Sequence, residues 1–164
     1  AKEYDGTNKY LRITDIDDIS HKFNTNDITS PNINLFEAAN YKLSKGDILF
    51  ARTGASVGKS YIYDDSDGIV YFAGFLIRLK IKKGHDAEFI FQNTLCAPYA
   101  KYIQITSQRS GQPGVNAQEY SEYSLFMPSQ TEQKRIGRFL RRIDKLITLH
   151  QREYICVKNG GKLC

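Results

Sequence analysis

The side chains best suited to chemistry gather in two glycine-bearing stretches and one early strand. Gly54-Ala55-Ser56-Val57-Gly58 has the GxSxG spacing of a nucleophile elbow, and Gly54 through Ser60 approaches the form of a phosphate loop. An elbow needs a strand before it and a helix after it. Here Lys59-Ser60-Tyr61-Ile62-Tyr63 alternates like a strand, and an acid and a histidine could be recruited only arbitrarily, from as far off as His85 or His150. A Walker A loop needs four residues between its first glycine and Gly-Lys-Ser; this chain has three, with no helix to follow. What remains is a strand–turn–strand loop. It is either a plain hairpin turn or a loop whose backbone amides, with Arg52, Ser56 and Lys59, approach a phosphate backbone.

The second stretch, Ser107 to Asn116, concentrates Gln108, Arg109, Gln112 and Asn116 within ten residues. Arginine reads guanine by two hydrogen bonds, and glutamine or asparagine reads adenine likewise. A solvated surface loop is the alternative. Arg109 joins Arg52 and Lys59 as a phosphate candidate. Gln108, Gln112 and Asn116, with Arg12 and Thr14 from the early strand, are the candidates for base edges.

Bulk properties narrow the choice of partner. The 164 residues suffice for one domain with a real core plus an appendage. A net charge of +5 and a pI near 9.0 suit a polyanion. No apolar run approaches the ~20 residues of a membrane span, and no signal peptide is visible. Cys96, Cys156 and Cys164 make an odd set without CxxC spacing, which argues against a disulfide framework or a zinc site. His21, His85 and His150 have no metal-ligand pattern around them. A reduced, cytoplasmic protein without metal or cofactor is expected.

The elements that must position these residues follow from periodicity and punctuation. Residues 9–16 alternate and read as a strand. Residues 17–34 are polar and read as a loop, with a short helix near Leu35–Asn40. Strands are expected at Ile48–Arg52, Ser60–Tyr63 and, once or twice, within Ile69–Ile81. Tyr61, Tyr63, Tyr71, Phe72 and Phe75 fall in these strand patterns and read as packing residues rather than a base-stacking platform. Asp86 can cap a helix to about Cys96, and Pro98 suits the first turn of another. Residues 106–119 show no period, and Tyr123–Met127 reads as a last strand.

Pro128 ends that body. Ser129 and Glu132 form a capping box for a helix of about 28 residues and about 43 Å. Ile136, Leu140, Ile143, Ile147, His150, Tyr154 and Val157 recur at steps of four and three, a heptad-like seam. Lys134, Arg138, Arg141 and Lys145 make a basic stripe beside it, a solvated face or a surface for an acidic partner. A helix so long cannot fold back on a small domain along its whole length, so its seam calls for a partner helix. The fold expected is α+β, a mixed-sheet domain over residues 1–128 followed by a coiled-coil-forming helical region over 129–164. A coiled-coil module that binds protein rather than DNA is the competing reading.

Several segments together resemble the specificity subunits of type I restriction–modification systems. Leu43 to Lys59 resembles their GDIL…RxG…GK segment, and Tyr10 to Ile16 their early YLR…DI strand. Gly114-Val115-Asn116 through Tyr123–Pro128, then Ser129 to Ile136, resemble the stretch that ends in proline and opens the spacer helix. The resemblance implies a target recognition domain and its spacer, without catalysis of its own. In that family two such domains sit at opposite ends of paired antiparallel helices, and each reads half of a bipartite double-stranded DNA site. Modification subunits carrying S-adenosylmethionine methylate adenine, and a separate restriction subunit cleaves. This chain corresponds to one recognition domain of the two, as a half-length subunit, a rearrangement product or an excised fragment. A half-length chain would pair its seam with a second copy and place two domains by two-fold symmetry.

Overall fold

The computed structural model of the chain describes residues 1–108 and 113–158, with side chains through Gln151. Its centre is a three-stranded antiparallel sheet ordered β5-β4-β7, with β4 at Ile48–Ala51, β5 at Ser60–Ile62 and β7 at Leu76–Leu79. All four residues of β4 are buried, which explains why its sequence is an unbroken apolar run rather than an alternation. Leu49 and Ala51 enter one core with Leu11, Tyr61, Val70 and Phe72. Ile48 and Phe50 enter a second core with Phe91, Tyr99, Ile103 and Val115. β4 is therefore the wall shared by both cores.

Two small sheets close the first core. The strand β2 (Asn8–Leu11) pairs in parallel with β6 (Ile69–Phe72), and β1 (Lys2–Glu3) pairs with β3 (Thr29–Ser30). Ser30 is fully buried; it accepts from the Asp5 N–H at 3.0 Å and donates to the Asn8 carbonyl at 2.5 Å, which ties the two sheets together. The predicted strand over 9–16 stops at Leu11. Asp15 ends it, because its carboxylate takes the Arg12 guanidinium and the Arg12 N–H and so closes a 3₁₀ turn over Ile13–Asp15. The short helix expected near Leu35–Asn40 is likewise a 3₁₀ turn, at Glu37–Tyr41.

Helices cover the second core. α1 (Ala87–Asn93) is capped by Asp86, whose Oδ1 accepts from the Phe89 N–H at 2.9 Å, and α2 (Ala97–Ser107) carries Pro98 in its first turn. The aperiodic stretch holds an unexpected short helix, α3 (Ala117–Glu122). Six residues are too few to display a period, but the Asn116–Glu119 capping box was a readable start signal. Tyr123–Met127 forms no strand; the segment has no ladder partner, and Phe126 is 98% exposed. Tyr123 instead packs against Tyr99 and Tyr102, with ring centroids 5.3 and 5.1 Å away.

The last helix, α4, runs Gln130–Lys158. Only one half of the expected capping box is present, a Glu132 N–H to Ser129 Oγ contact at 3.4 Å. Gln133 does more. It is buried, its Oε1 accepts from the Asp86 N–H at 3.0 Å, and its Nε2 donates to the Pro128 carbonyl at 2.8 Å. From there a polar stripe holds α4 to the domain. Gly137 lies so close to α1 that a Cβ there would meet Asp86 Oδ1 at 2.6 Å and the Phe89 amide at 2.9 Å. Arg141 bonds Asp64 at 2.7 Å, Asp144 accepts from Gln92 Nε2 at 2.7 Å, and Lys22 reaches Thr148 Oγ1 at 2.9 Å. The body therefore holds the helix well past the Pro128 boundary, on a face that the sequence shows as polar.

Candidate nucleic-acid interface

The two candidate loops meet. Leaving β4, the chain turns through Gly54–Ser56 as a short 3₁₀ turn and enters β5. No helix follows Ser56, so the elbow geometry is absent. Thr53 forms an antiparallel bridge with Gly114, the Gly54 N–H donates to the Pro113 carbonyl at 3.1 Å, and the Val115 N–H donates to the Arg52 carbonyl at 2.9 Å. Residues 52–54 and 113–115 are thereby zipped side by side. Arg52, Thr53, Thr106, Gly114, Val115, Asn116 and Glu119 line an open depression of about 270 Å³ there.

Tyrosines brace this junction from below. Tyr120 of α3 stacks on Phe50 at 4.8 Å, donates its hydroxyl to the Ala51 carbonyl at 2.6 Å, and accepts from the Gly58 N–H at 3.1 Å. Tyr99 of α2 donates to the Gly58 carbonyl at 2.8 Å. Both ends of the 52–57 loop are thus pinned to helices. Burial pushes the Tyr120 hydroxyl up to about 12 and raises that of Tyr99 further, so both stay protonated donors at neutral pH. Gly58 has φ of +84°, and a Cβ would strike Ile103 Cγ2 at 2.5 Å. Only glycine fits both the left-handed backbone and the close approach of α2.

The sequence-derived candidates divide on this geometry. Arg52 is exposed at the depression, and no ion pair engages its guanidinium among the described residues. Asn116 also lines it, but its Oδ1 is committed to capping α3 through the Glu119 N–H at 3.0 Å, leaving the amide NH₂ to face outward chemistry. Gln108 follows the end of α2 and is exposed, and Ser56 is half-buried within the zipped loop. Arg109 and Gln112 lie outside the described residues.

Three candidates lie elsewhere. Arg12 holds Asp15 with two bonds of 2.8 and 2.7 Å, and Thr14 Oγ1 contacts the same carboxylate at 3.3 Å. Lys59 is drawn inward: its ammonium donates to the Ile16 carbonyl at 3.0 Å and pairs with Asp18 at 2.5 Å, and its side chain is only 11% exposed. A largely buried cation satisfied by a carbonyl and a carboxylate stabilises its own loop, so Lys59 braces the 12–18 segment, while Arg12, 37% exposed, grips Asp15 at its start. His21 belongs to the same support, with Nδ1 hydrogen-bonded to the Ser60 carbonyl at 2.9 Å. No metal-binding cluster occurs among the described residues.

A basic surface escaped notice in the sequence. Lys45, Lys80, Lys82, Lys83 and His85 surround a depression of about 350 Å³. Because Ile48 pairs with Leu79, and Ala51 with Leu76, this cluster lies at the end of the central sheet opposite Arg52. The Lys-Ile-Lys-Lys run at 80–83 was its signal, obscured by its attachment to a strand.

The family model for the type I restriction modification DNA specificity domain matches residues 2–159. The chain belongs to this family. It is a DNA-recognition domain, and the family is the non-catalytic component of type I systems. No curated protein matches the chain. Among solved structures, the HsdS subunit of Thermoanaerobacter tengcongensis aligns with TM-score 0.62 and 18% identity, over 92% of this chain and 39% of that one. A chain from a type I R-M system, described for its complex assembly and conformational transition, aligns with TM-score 0.62 and 14% identity over the same shares. At such identities the likeness is one of fold. The specificity domain thus spans about two fifths of the subunits it resembles.

Proposed function

We propose that this specificity domain reads one half of a bipartite duplex DNA site through the zipped 52–56 and 113–116 loops. Arg52 contacts phosphate, and Gln108 and Asn116 reach base edges, joined by Arg109 and Gln112 on the grounds of their chemistry. Ser56 completes the set at its margin, and Thr14 adds a candidate base contact from the early loop, whose shape Arg12 and Lys59 set. The bridge between Thr53 and Gly114 carries this reading. It joins loops about sixty residues apart in sequence into one rigid surface, as base readout requires.

α4 then acts as the spacer. Its polar stripe is anchored to the domain while its apolar seam is left open. Ile136 and Leu140 are half-buried, whereas Phe139, Ile143, Leu146, Ile147 and Leu149 are between 37% and 65% exposed. Tyr154 continues the seam in sequence; its side chain lies outside those described. At 3.6 residues per turn the two stripes lie about a quarter-turn apart, so one helix can dock on its own body and still pair with another. The partner helix belongs to a second recognition domain, from a second copy of this chain or from the other half of a longer subunit. Together they would scaffold the modification subunits and, through them, the restriction subunit.

Duplex binding measured against salt tests the recognition, and sedimentation of the chain alone and with a modification subunit tests the spacer. Binding to a randomised duplex pool should fall steeply with ionic strength. A flat salt response, or no retention of any duplex at low salt, rejects the reading.

A further inference from the structure

Among the aromatic residues that the strand pattern assigned to packing, one is not buried. Phe75 is 64% exposed, although it lies next to the fully paired end of β7. The ladder explains its position. β4 and β7 pair Phe50 with Ile77 and Ala51 with Leu76, so the next pair in register is Arg52 with Phe75. The ladder itself ends at Leu76, and Phe75 lies in the turn before it, but the Arg52 N–H donates to the Phe75 carbonyl at 3.1 Å and holds the two backbones side by side. Phe75 therefore stands beside Arg52 at the end of the central sheet.

The backbone there is fixed. The Leu76 N–H donates to the Ala73 carbonyl at 3.0 Å, and the Ala73 N–H donates to the Leu11 carbonyl at 2.9 Å. The ring thus sits on a closed turn tied to two sheets, with an exposed cation as its neighbour. Phe36 and Phe126 are more exposed still, at 93% and 98%, but no backbone bond among the described residues fixes either beside Arg52. A benzyl group gains nothing from a phosphate. In duplex DNA the apolar surfaces open to it are the thymine methyl in the major groove and the face of an unstacked base.

We propose that Phe75 is a base-contacting specificity residue of this domain, with an apolar base surface as its ligand and Arg52 as the adjoining phosphate anchor. The inference rests on the DNA-reading face proposed above. The test uses the full chain, as wild type and as Phe75→Ala, Phe75→Leu and Arg52→Ala, each checked for native circular dichroism. Duplexes retained from a randomised pool at low salt are sequenced, and the best are titrated. Phe75→Ala should flatten the preference at one position or two adjacent ones while leaving the salt slope unchanged, and Phe75→Leu should restore part of it. Arg52→Ala should weaken all sequences and lower the slope by about one.

Two probes separate the sources of the apolar surface. Replacing thymine by uracil at the affected position should cost wild type about fourfold, the worth of one buried methyl, and cost Phe75→Ala nothing, if a methyl is read. If a base face is read, 2-aminopurine at that step should brighten on binding wild type and stay dark with Phe75→Ala. A Phe75→Ala selection profile that superimposes on wild type, while Arg52→Ala weakens binding, overturns this inference and leaves the DNA-reading face standing. Failure of wild type to retain any duplex removes both.

Discussion

At the scale of single residues, charge alone misleads about outward chemistry. Lys59 and Arg52 flank the same loop, yet one is satisfied internally and the other is exposed. The difference follows from the pairing of β4 with β5, which turns Lys59 back towards Ile16. Lys59→Met should therefore cost about 1–3 kcal/mol of stability by leaving the buried Ile16 carbonyl without its partner; urea unfolding measures it. A loss of DNA affinity without any loss of stability would return Lys59 to the contact surface. Gln108→Ala, by contrast, should leave the unfolding midpoint in place, cost about 1–3 kcal/mol of binding and relax one base position, as read from duplex competition.

At the scale of elements, the joint between α1 and α4 decides how the recognition face is held relative to the spacer. Gly137 is the closest point of that joint. An alanine is worth about 1 kcal/mol more than glycine in a free helix, but here its Cβ would overlap the Phe89 amide and Asp86. Overpacking of this kind costs about 1–3 kcal/mol, so Gly137→Ala should destabilise on balance. A higher melting temperature for that variant would show that the helix is free of α1 in solution.

The same joint carries a pH response. Bonds from the Ser66 amide, then from Arg141, hold the Asp64 carboxyl down at about 2. A carboxyl with a depressed folded pKa contributes stability above its unfolded value, near 3.8 here, and loses it as pH falls towards the folded one. Asp64→Asn should lower the melting temperature at neutral pH and match wild type near pH 2, as followed by scanning calorimetry. Glu88 behaves oppositely, since burial raises its pKa. Its ionised form is the disfavoured one, so the joint loses stability as pH rises through the folded value. Glu88→Gln should raise the neutral-pH melting temperature, and the gain should vanish in acid.

For the whole molecule, the free seam on an anchored helix governs assembly. Ile143→Asp and Leu146→Glu place charges on exposed apolar positions that a partner helix would bury, outside the polar stripe. Sedimentation should show the wild type associating and both variants monomeric, with unfolding unchanged. Monomeric wild type would assign the partner helix to another chain or to the remainder of a longer one. The lysine cluster around Lys82 lies at the far end of the sheet from Arg52, so the basic charge of the chain is spread over two poles and net charge alone does not locate its recognition face.

By itself, the sequence determined the central strands, the helices α1 and α2 and the long last helix, while it left the short turns, α3 and the unpaired 123–127 segment undetermined. β4 was legible because an apolar run between turn signals suits burial on both faces, α1 and α2 because Asp86 and Pro98 mark helix starts, and α4 because 29 residues leave room for many repeats of one period. It also carried the family resemblance, since short ordered motifs survive in the chain order. The tertiary structure alone decided which polar groups face inward. Arg12, Lys59 and Arg141 look like free cations in one dimension, and each meets a carboxylate brought from another part of the chain or the next turn. It alone exposed Phe75, because a strand pattern does not say where the ladder ends. Pairing between distant segments sets both outcomes, and that pairing is a property of the folded contacts rather than of residue order.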